Sequence, residues 1–251
     1  MSKRNSLLEF TRLLAALWVM YFHGLSLITR TSHFTNGYLA VDYFFILTGF
    51  FFLSSFFKFS GKSGTFFIGL IKFLWSRFKG LAITFGICLI FSIIYYIQVF
   101  SGIFNESIWG YLWYVPHCLA VLGIYYILKS IIKNEQLFNV ITIILVVITL
   151  FITLSGISTY GIFRGIAGIG IGILISQIPK LNMKKSNLIS LCAFIILLAM
   201  TVIISIYFVN PLFEGPICIM LLFPSIIYFG SNVNFSNNIM NNMEKSRAFV
   251  V

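Results

Sequence analysis

Runs of roughly 20 predominantly apolar residues recur along almost the whole chain, each long enough to cross the hydrocarbon of a bilayer as a helix. Eight are read from the sequence: Leu7–Ile28, Tyr38–Phe57, Leu81–Phe100, Leu112–Ile132, Leu137–Leu154, Gly161–Ile178, Leu188–Val209 and Gly215–Gly230. In lipid every backbone N–H and C=O needs an internal partner, so isolated segments of this length must be helical. Of the 251 residues 59% are hydrophobic and 9% charged. A soluble domain carries about 25% charge, so too few charges remain to cover a water-facing surface. The fold class is all-α: a polytopic transmembrane bundle of about eight spans, forming a single integral-membrane domain over residues 1–251.

A net charge of +11 would point to nucleic acid in a soluble protein. Here the positions of the charges decide against that partner. Lys3 and Arg4 precede the first span, and Lys58, Lys62, Lys72, Arg77 and Lys79 fill the second-to-third connection. Lys129 and Lys133 flank the fourth-to-fifth turn, Lys180, Lys184 and Lys185 the sixth-to-seventh, and Lys245 and Arg247 the tail. The alternate connections together hold one basic residue, Arg30. Cytoplasmic loops are the ones enriched in Lys and Arg, so both termini are expected inside, and the basic balance is a record of topology.

The connection from Lys58 to Gly80 mixes Phe, Ile, Leu and Trp with lysines and one arginine. That pattern predicts a cytoplasmic amphipathic helix over residues 66–78, lying along the inner leaflet. Glycines at 161, 165, 168, 170 and 172 predict a close helix–helix approach in the sixth span. Pro116, Pro216 and Pro224 are expected to kink their helices. The four cysteines fall in four different spans without metal-like spacing and read as small buried residues. The first span is too long for the apolar core of a signal peptide and lacks a small-residue cleavage site.

Ionisable groups inside spans cost roughly 2.5–3.5 kcal/mol at the helix centre on insertion scales, and so mark functional positions by default. Those here are Glu9, Arg12, His23, Asp42, His117 and Arg164. Eleven helical residues advance about 16 Å and return to nearly the same face, so Arg12 and His23 share a stripe at opposite depths. Glu9 lies one turn before Arg12, within pairing reach. Asp42 enters about one turn deep from the outer side, and His117 enters from that side too, predicting an outer-half cluster of His23, Asp42 and His117. A histidine suits general-base work, and a carboxylate on its other nitrogen fixes the tautomer. Arg12 suits bidentate capture of an anionic ligand from the cytoplasm. Each has a plainer role as well. Arg12 and Arg164 are placed to snorkel to their interfaces, Asp42 to bond a neighbouring helix, and Trp113 to join an aromatic belt.

Two motifs extend this reading. Arg12 and His23 form an Arg-x10-His pair, and "NGYLAVDYFFILTGFFF" follows with Gly37, Val41, Asp42, Phe44, Phe45, Thr48, Gly49 and Phe50 at their places in a Gly-x-x-x-Val-Asp-x-Phe-Phe-x-x-(Ser/Thr)-Gly-Phe pattern. Together they resemble the acyltransferase 3 family of integral-membrane acyltransferases, specifically over residues 6–55. "FLWSRFKGL" and "GYLWYVPHCLAVLG" are looser matches. The resemblance implies transfer of an acyl group, commonly acetyl, from cytoplasmic acyl-coenzyme A to a hydroxyl of a cell-envelope polysaccharide or lipid-linked glycan, in a bacterial cytoplasmic membrane. It implies His23 as the essential base and Arg12 as a residue that helps hold the donor. The depths and spacings add the other candidates: Asp42 beside His23, Glu9, Arg77 and Lys79 on the donor side, and Trp113, His117 and Arg164 on the acceptor side. Acyl-coenzyme A enters as substrate; no bound cofactor or metal is expected, and membrane lipid surrounds the chain.

The sequence departs from the family at Gly80 and Ile83, where a second arginine and a proline are usual. Family members have about ten spans and a C-terminal Ser-x-Tyr-x-x-Tyr-x-x-His stretch. The expectation for this chain is a naturally shorter, frameshifted or truncated form, active or inactive. The alternative from another class is a carrier in which Arg12 and Arg164 bind an anionic glycan precursor during alternating access, which calls for inverted repeats and broken helices.

Overall fold

Asn5 opens the first helix: its side-chain carbonyl accepts from the backbone N–H groups of Leu7 (3.0 Å) and Leu8 (3.3 Å), satisfying two of the donors every helix start leaves free. The helix continues as α1 (Ser6–Thr29). The computed structural model describes residues 5–29, 37–60, 65–79, 113–155, 161–180, 186–207, 215 and 217–233. Their elements after α1 are α2 (Tyr38–Phe50), α3 (Phe52–Ser60), α4 (66–79), α5 (Tyr114–Ile131), α6 (Glu135–Leu154), α7 (Gly161–Ser176), α8 (Ser186–Tyr207), a π-helical turn at Cys218–Leu222, and α9 (Phe223–Asn232). No strand occurs among the described residues.

Among the described residues, three helices are long and apolar enough to span a membrane: Tyr114–Ile131, Glu135–Thr153 and Asn187–Ile204. A fourth results if α2 and α3, bent by 43° at Phe51, form one broken span. Gly161–Ser176 and Cys218–Asn232 are apolar but shorter. The expected third span, Leu81–Phe100, lies outside the described residues. On α6 and α8, Ile144, Val147, Phe151, Ile196 and Ile203 are each at least half exposed. Soluble monomers rarely expose such contiguous apolar faces; these suit lipid.

α7 is the centre of the bundle, packed against α2, α5 and α6. Its glycine stripe provides the contact the sequence predicts. A Cβ on Gly172 would come within 2.0 Å of the Ile46 carbonyl oxygen, and one on Gly49 would meet the Ile169 carbonyl at the same distance. Only hydrogen fits at both positions, which lets the backbones of α2 and α7 touch. The two helices run parallel, Asp42 beside Arg164 at one end and Gly49 beside Ile169 further along. One apolar core gathers α1, α2, α8 and α9 around Leu8, Ile46 and Phe223; a second gathers α2, α3, α4, α5 and α7 around Phe45, Phe73, Tyr125 and Ile169.

Several local expectations change. Pro116 does not kink α5, because it sits in the first turn, where its missing N–H would have no helical partner. Pro224 lies within a continuous helix, directly after the π-helical turn that distorts it at Cys218–Leu222; Pro216 lies outside the described residues. The bend at Phe51 contains no proline. Of the cysteines, Cys118 and Cys218 are buried as expected, Cys192 is exposed on α8, and Cys88 lies outside the described residues.

The described helices sort the charges by end. Lys129, Lys133 and Lys180 lie at one end, where Asn139 and Gln177 join the α6 and α7 termini by paired amide hydrogen bonds of 2.8 Å. The start of α1 is there as well: Asn5 donates to the Gly230 carbonyl (2.9 Å), and the Tyr228 hydroxyl on α9 donates to Pro179 (2.9 Å). Asp42, Trp113, His117 and Arg164 lie at the other end.

Candidate functional site

About two turns along α1 from the lysine-rich end, Arg12 meets Glu9 on the preceding turn, with one guanidinium nitrogen 3.3 Å from both carboxylate oxygens. Both side chains are nearly half exposed, so the pair contributes little to stability and leaves the cation accessible. Arg77 comes from α4 to the bend between α2 and α3. It donates to the Phe51 carbonyl (2.8 Å) and to the Ser55 hydroxyl, and lies 5.7 Å from the centre of the Phe73 ring. The bend between α2 and α3 presents that carbonyl, and Arg77 caps it. Burial draws the Arg77 guanidinium below its usual pKa, and the nearby Arg12 charge acts in the same direction. The charges of Arg12 on α1 and Arg77 on α4 thus act on each other. Lys79 stays exposed on α4, its ammonium 5.6 Å from the Trp75 ring centre.

The opposite end is organised by Arg164. Its Nε donates to Asp42 Oδ1 (3.0 Å) and a terminal nitrogen donates to Oδ2 (2.8 Å), a bidentate pair whose carboxylate side chain is 2% exposed. This corrects the snorkelling expectation. The rotation of α7 turns Arg164 inward onto α2, where Asp42 compensates its charge. The guanidinium carbon lies 5.4 Å from the centre of the Trp113 ring, so Trp113 faces the cluster as well as any aromatic belt. His117 follows one turn later on α5, its Nδ1 hydrogen-bonded to the Trp113 carbonyl and its ring 5.8 Å from the indole. Gly161 allows the indole to approach: a Cβ there would fall 2.3 Å from the ring.

The structure therefore joins Asp42 with Arg164, Trp113 and His117, and joins Arg12 with Glu9 and, through space, Arg77. His23 lies on the α1 backbone, with its side chain outside the described residues. The Thr11 hydroxyl, one residue before Arg12, bonds the Tyr43 hydroxyl, one residue after Asp42. That register sets the start of α2 beside the Arg12 half of α1.

Two polar links escape the sequence reading. One is the Thr11–Tyr43 bond, buried between α1 and α2. The other joins Thr48, Tyr114 and Cys118 by side-chain hydrogen bonds between α2 and α5. Thr48 had a signal, since it fills the hydroxyl place of the second-span pattern. Tyr114 and Cys118, four residues apart in an apolar run, had none. Beside the Thr11–Tyr43 bond, a largely apolar cavity of about 460 Å³ lies between α1, α2, α8 and α9, with Leu14, Trp18, Leu198 and Phe223 in its walls.

A family model described as an acyltransferase domain matches residues 5–246. The chain belongs to the acyltransferase 3 family. The match covers all the described helices, so the bundle as a whole, and not only its first two spans, is the family's domain. Comparison with curated proteins and with solved structures gives no match. At the family level this acyltransferase 3 member is an acyltransferase, of a family associated with membranes.

Proposed function

We propose that this acyltransferase 3 member is a multi-pass O-acyltransferase of the bacterial cytoplasmic membrane. It moves an acyl group, acetyl first among them, from cytoplasmic acyl-coenzyme A to a hydroxyl of an envelope polysaccharide or lipid-linked glycan. The observation that supports it most is the presence of two separate polar groups in the bundle, the accessible Arg12–Glu9 pair on α1 and the inward-facing Asp42–Arg164–Trp113 cluster where α2, α7 and α5 meet.

Arg12, accessible and within electrostatic reach of Arg77, fits an anionic donor approaching from the lysine-rich end, with Glu9 orienting the guanidinium and Lys79 adding positive field at the rim. His23, eleven residues beyond Arg12 on α1, takes the acceptor hydroxyl proton as general base while the oxygen attacks the thioester carbon. The carbon–sulfur bond breaks and the thiol leaves with a proton. Asp42, through Arg164, holds the acceptor-side indole of Trp113 in place; an indole face beside a guanidinium suits a sugar ring bearing hydroxyls. His117 supplies a further hydrogen-bonding group there.

The test uses purified full-length protein with labelled acetyl-coenzyme A and the host's envelope glycan. Wild type should transfer label, and His23→Ala should reduce transfer by at least about 100-fold, the lower range for loss of a general base. Equal transfer by the two removes His23 from the mechanism.

A further inference from the structure

The lysine-rich end carries a second cavity, of about 440 Å³, between α3, α4 and the α5–α6 turn. Lys129, Lys133, Tyr126, Ser60, Thr65 and Phe66 are among its lining residues. Lys129 stands out in physical terms. Only 7% exposed as a whole residue, it is the one lysine among the described residues that is buried, and it lines the cavity, so that a charge with little other access to solvent is turned to a space an anion could fill. A place in the last turn of α5 accounts for a basic residue there, through the helix dipole, but not for its burial. Its ammonium lies 4.8 Å from the Phe138 ring centre, a weaker partner than an anion. The ion pairs recorded among the described residues, Glu9–Arg12 and Asp42–Arg164, leave it without a carboxylate.

The rest of the cavity suits a phosphate carried on a partly apolar molecule. Lys133 is exposed and adds a second ammonium; Glu135, in the first turn of α6, is the carboxylate of the lining. Two ammoniums against one carboxylate leave the lining net positive. Ser60 and Thr65 bring hydroxyl donors, and Phe57 and Phe66 aromatic walls. Tyr126 is held by Phe56, Phe66 and Phe73, and its hydroxyl end rests against Gly69, which also lines the cavity.

We propose that this cavity is a phosphate-recognition site, with Lys129 at its buried wall and Lys133 at its exposed one. The phosphate has two chemical sources, the phosphorylated end of coenzyme A and the headgroup of an anionic lipid. The first rests on the acyltransferase reading above. Gly69, at the cavity, and Arg77 are eight residues apart on α4, about 12 Å, so a donor anchored there extends its thioester end towards Arg77 and Arg12.

The experiment measures binding to full-length protein in nanodiscs of neutral lipid, comparing wild type with Lys129→Met, which keeps the apolar stem, and with the exposed-site variant Lys133→Gln. The probes are coenzyme A, 3′-dephospho-coenzyme A, and nanodiscs containing phosphatidylglycerol. If coenzyme A is the source, wild type binds it at least about tenfold tighter than the dephospho form, and the variants lose that difference. If lipid is the source, wild type does not distinguish the two nucleotides, but phosphatidylglycerol raises its thermal midpoint and the variants lose that rise. Variants that respond to all three probes as wild type does overturn the site. Acyl transfer by the same variants then tells separately whether the acyltransferase reading stands.

Discussion

Arg164 and Asp42 illustrate how a single side chain settles the character of one end of the bundle. The pair is buried and bidentate, and removing one partner strands the other charge, at a cost of about 3–5 kcal/mol. Replacing both by apolar residues removes the desolvation penalty along with the attraction. Asp42→Leu and Arg164→Met should therefore each lower the thermal unfolding midpoint in detergent, while the double variant should recover most of the loss. Additive losses would mean the two residues act independently. The sequence supplies both residues but not their union, because hydropathy reports how deep a residue sits and not which way its helix is rotated. Arg12 and Glu9 were legible for the opposite reason: residues three apart on one helix are neighbours whatever the rest of the fold does. The link of Thr48, Tyr114 and Cys118 was legible at Thr48 alone.

At the scale of elements, α2 and α7 are joined through absent side chains. Gly49→Ala forces a methyl group into the Ile169 backbone, and a carbonyl cannot move aside as a flexible side chain can. Overpacking of this kind costs about 1–3 kcal/mol. Gly123 on α5 is the contrast: a Cβ there would find only Leu74 Cδ1 at 4.0 Å, and alanine gains up to about 1 kcal/mol of helix propensity. Thermal unfolding should thus show Gly49→Ala clearly destabilised and Gly123→Ala level with wild type or above it; equal losses would refute the packing. The glycine stripe on α7 could be read in advance because small residues four apart have few uses other than close approach. The bend at Phe51 could not, since neither proline nor charge marks it and its stabilising contact, Arg77 on the Phe51 carbonyl, comes from another element. The amphipathic α4 was legible from its mixture of aromatics and lysines, though not the packing of Phe73 and Gly69 against α3 and α5.

For the molecule as a whole, the alternation of basic and nearly uncharged connections foreshadows what the described helices do: Asn5, Lys129 and Lys180 gather at one end, Asp42 and Arg164 at the other. The account turns on that division, with an anionic donor met at the lysine-rich end and a glycan hydroxyl met at the end holding Arg164 and Trp113. The direct test encloses the glycan acceptor in sealed vesicles whose lysine-rich protein ends face the medium, and adds labelled acetyl-coenzyme A, which does not cross the bilayer, to the outside. Label accumulating on the enclosed glycan is the predicted result. Label appearing only when donor and acceptor share one side of the membrane would contradict it.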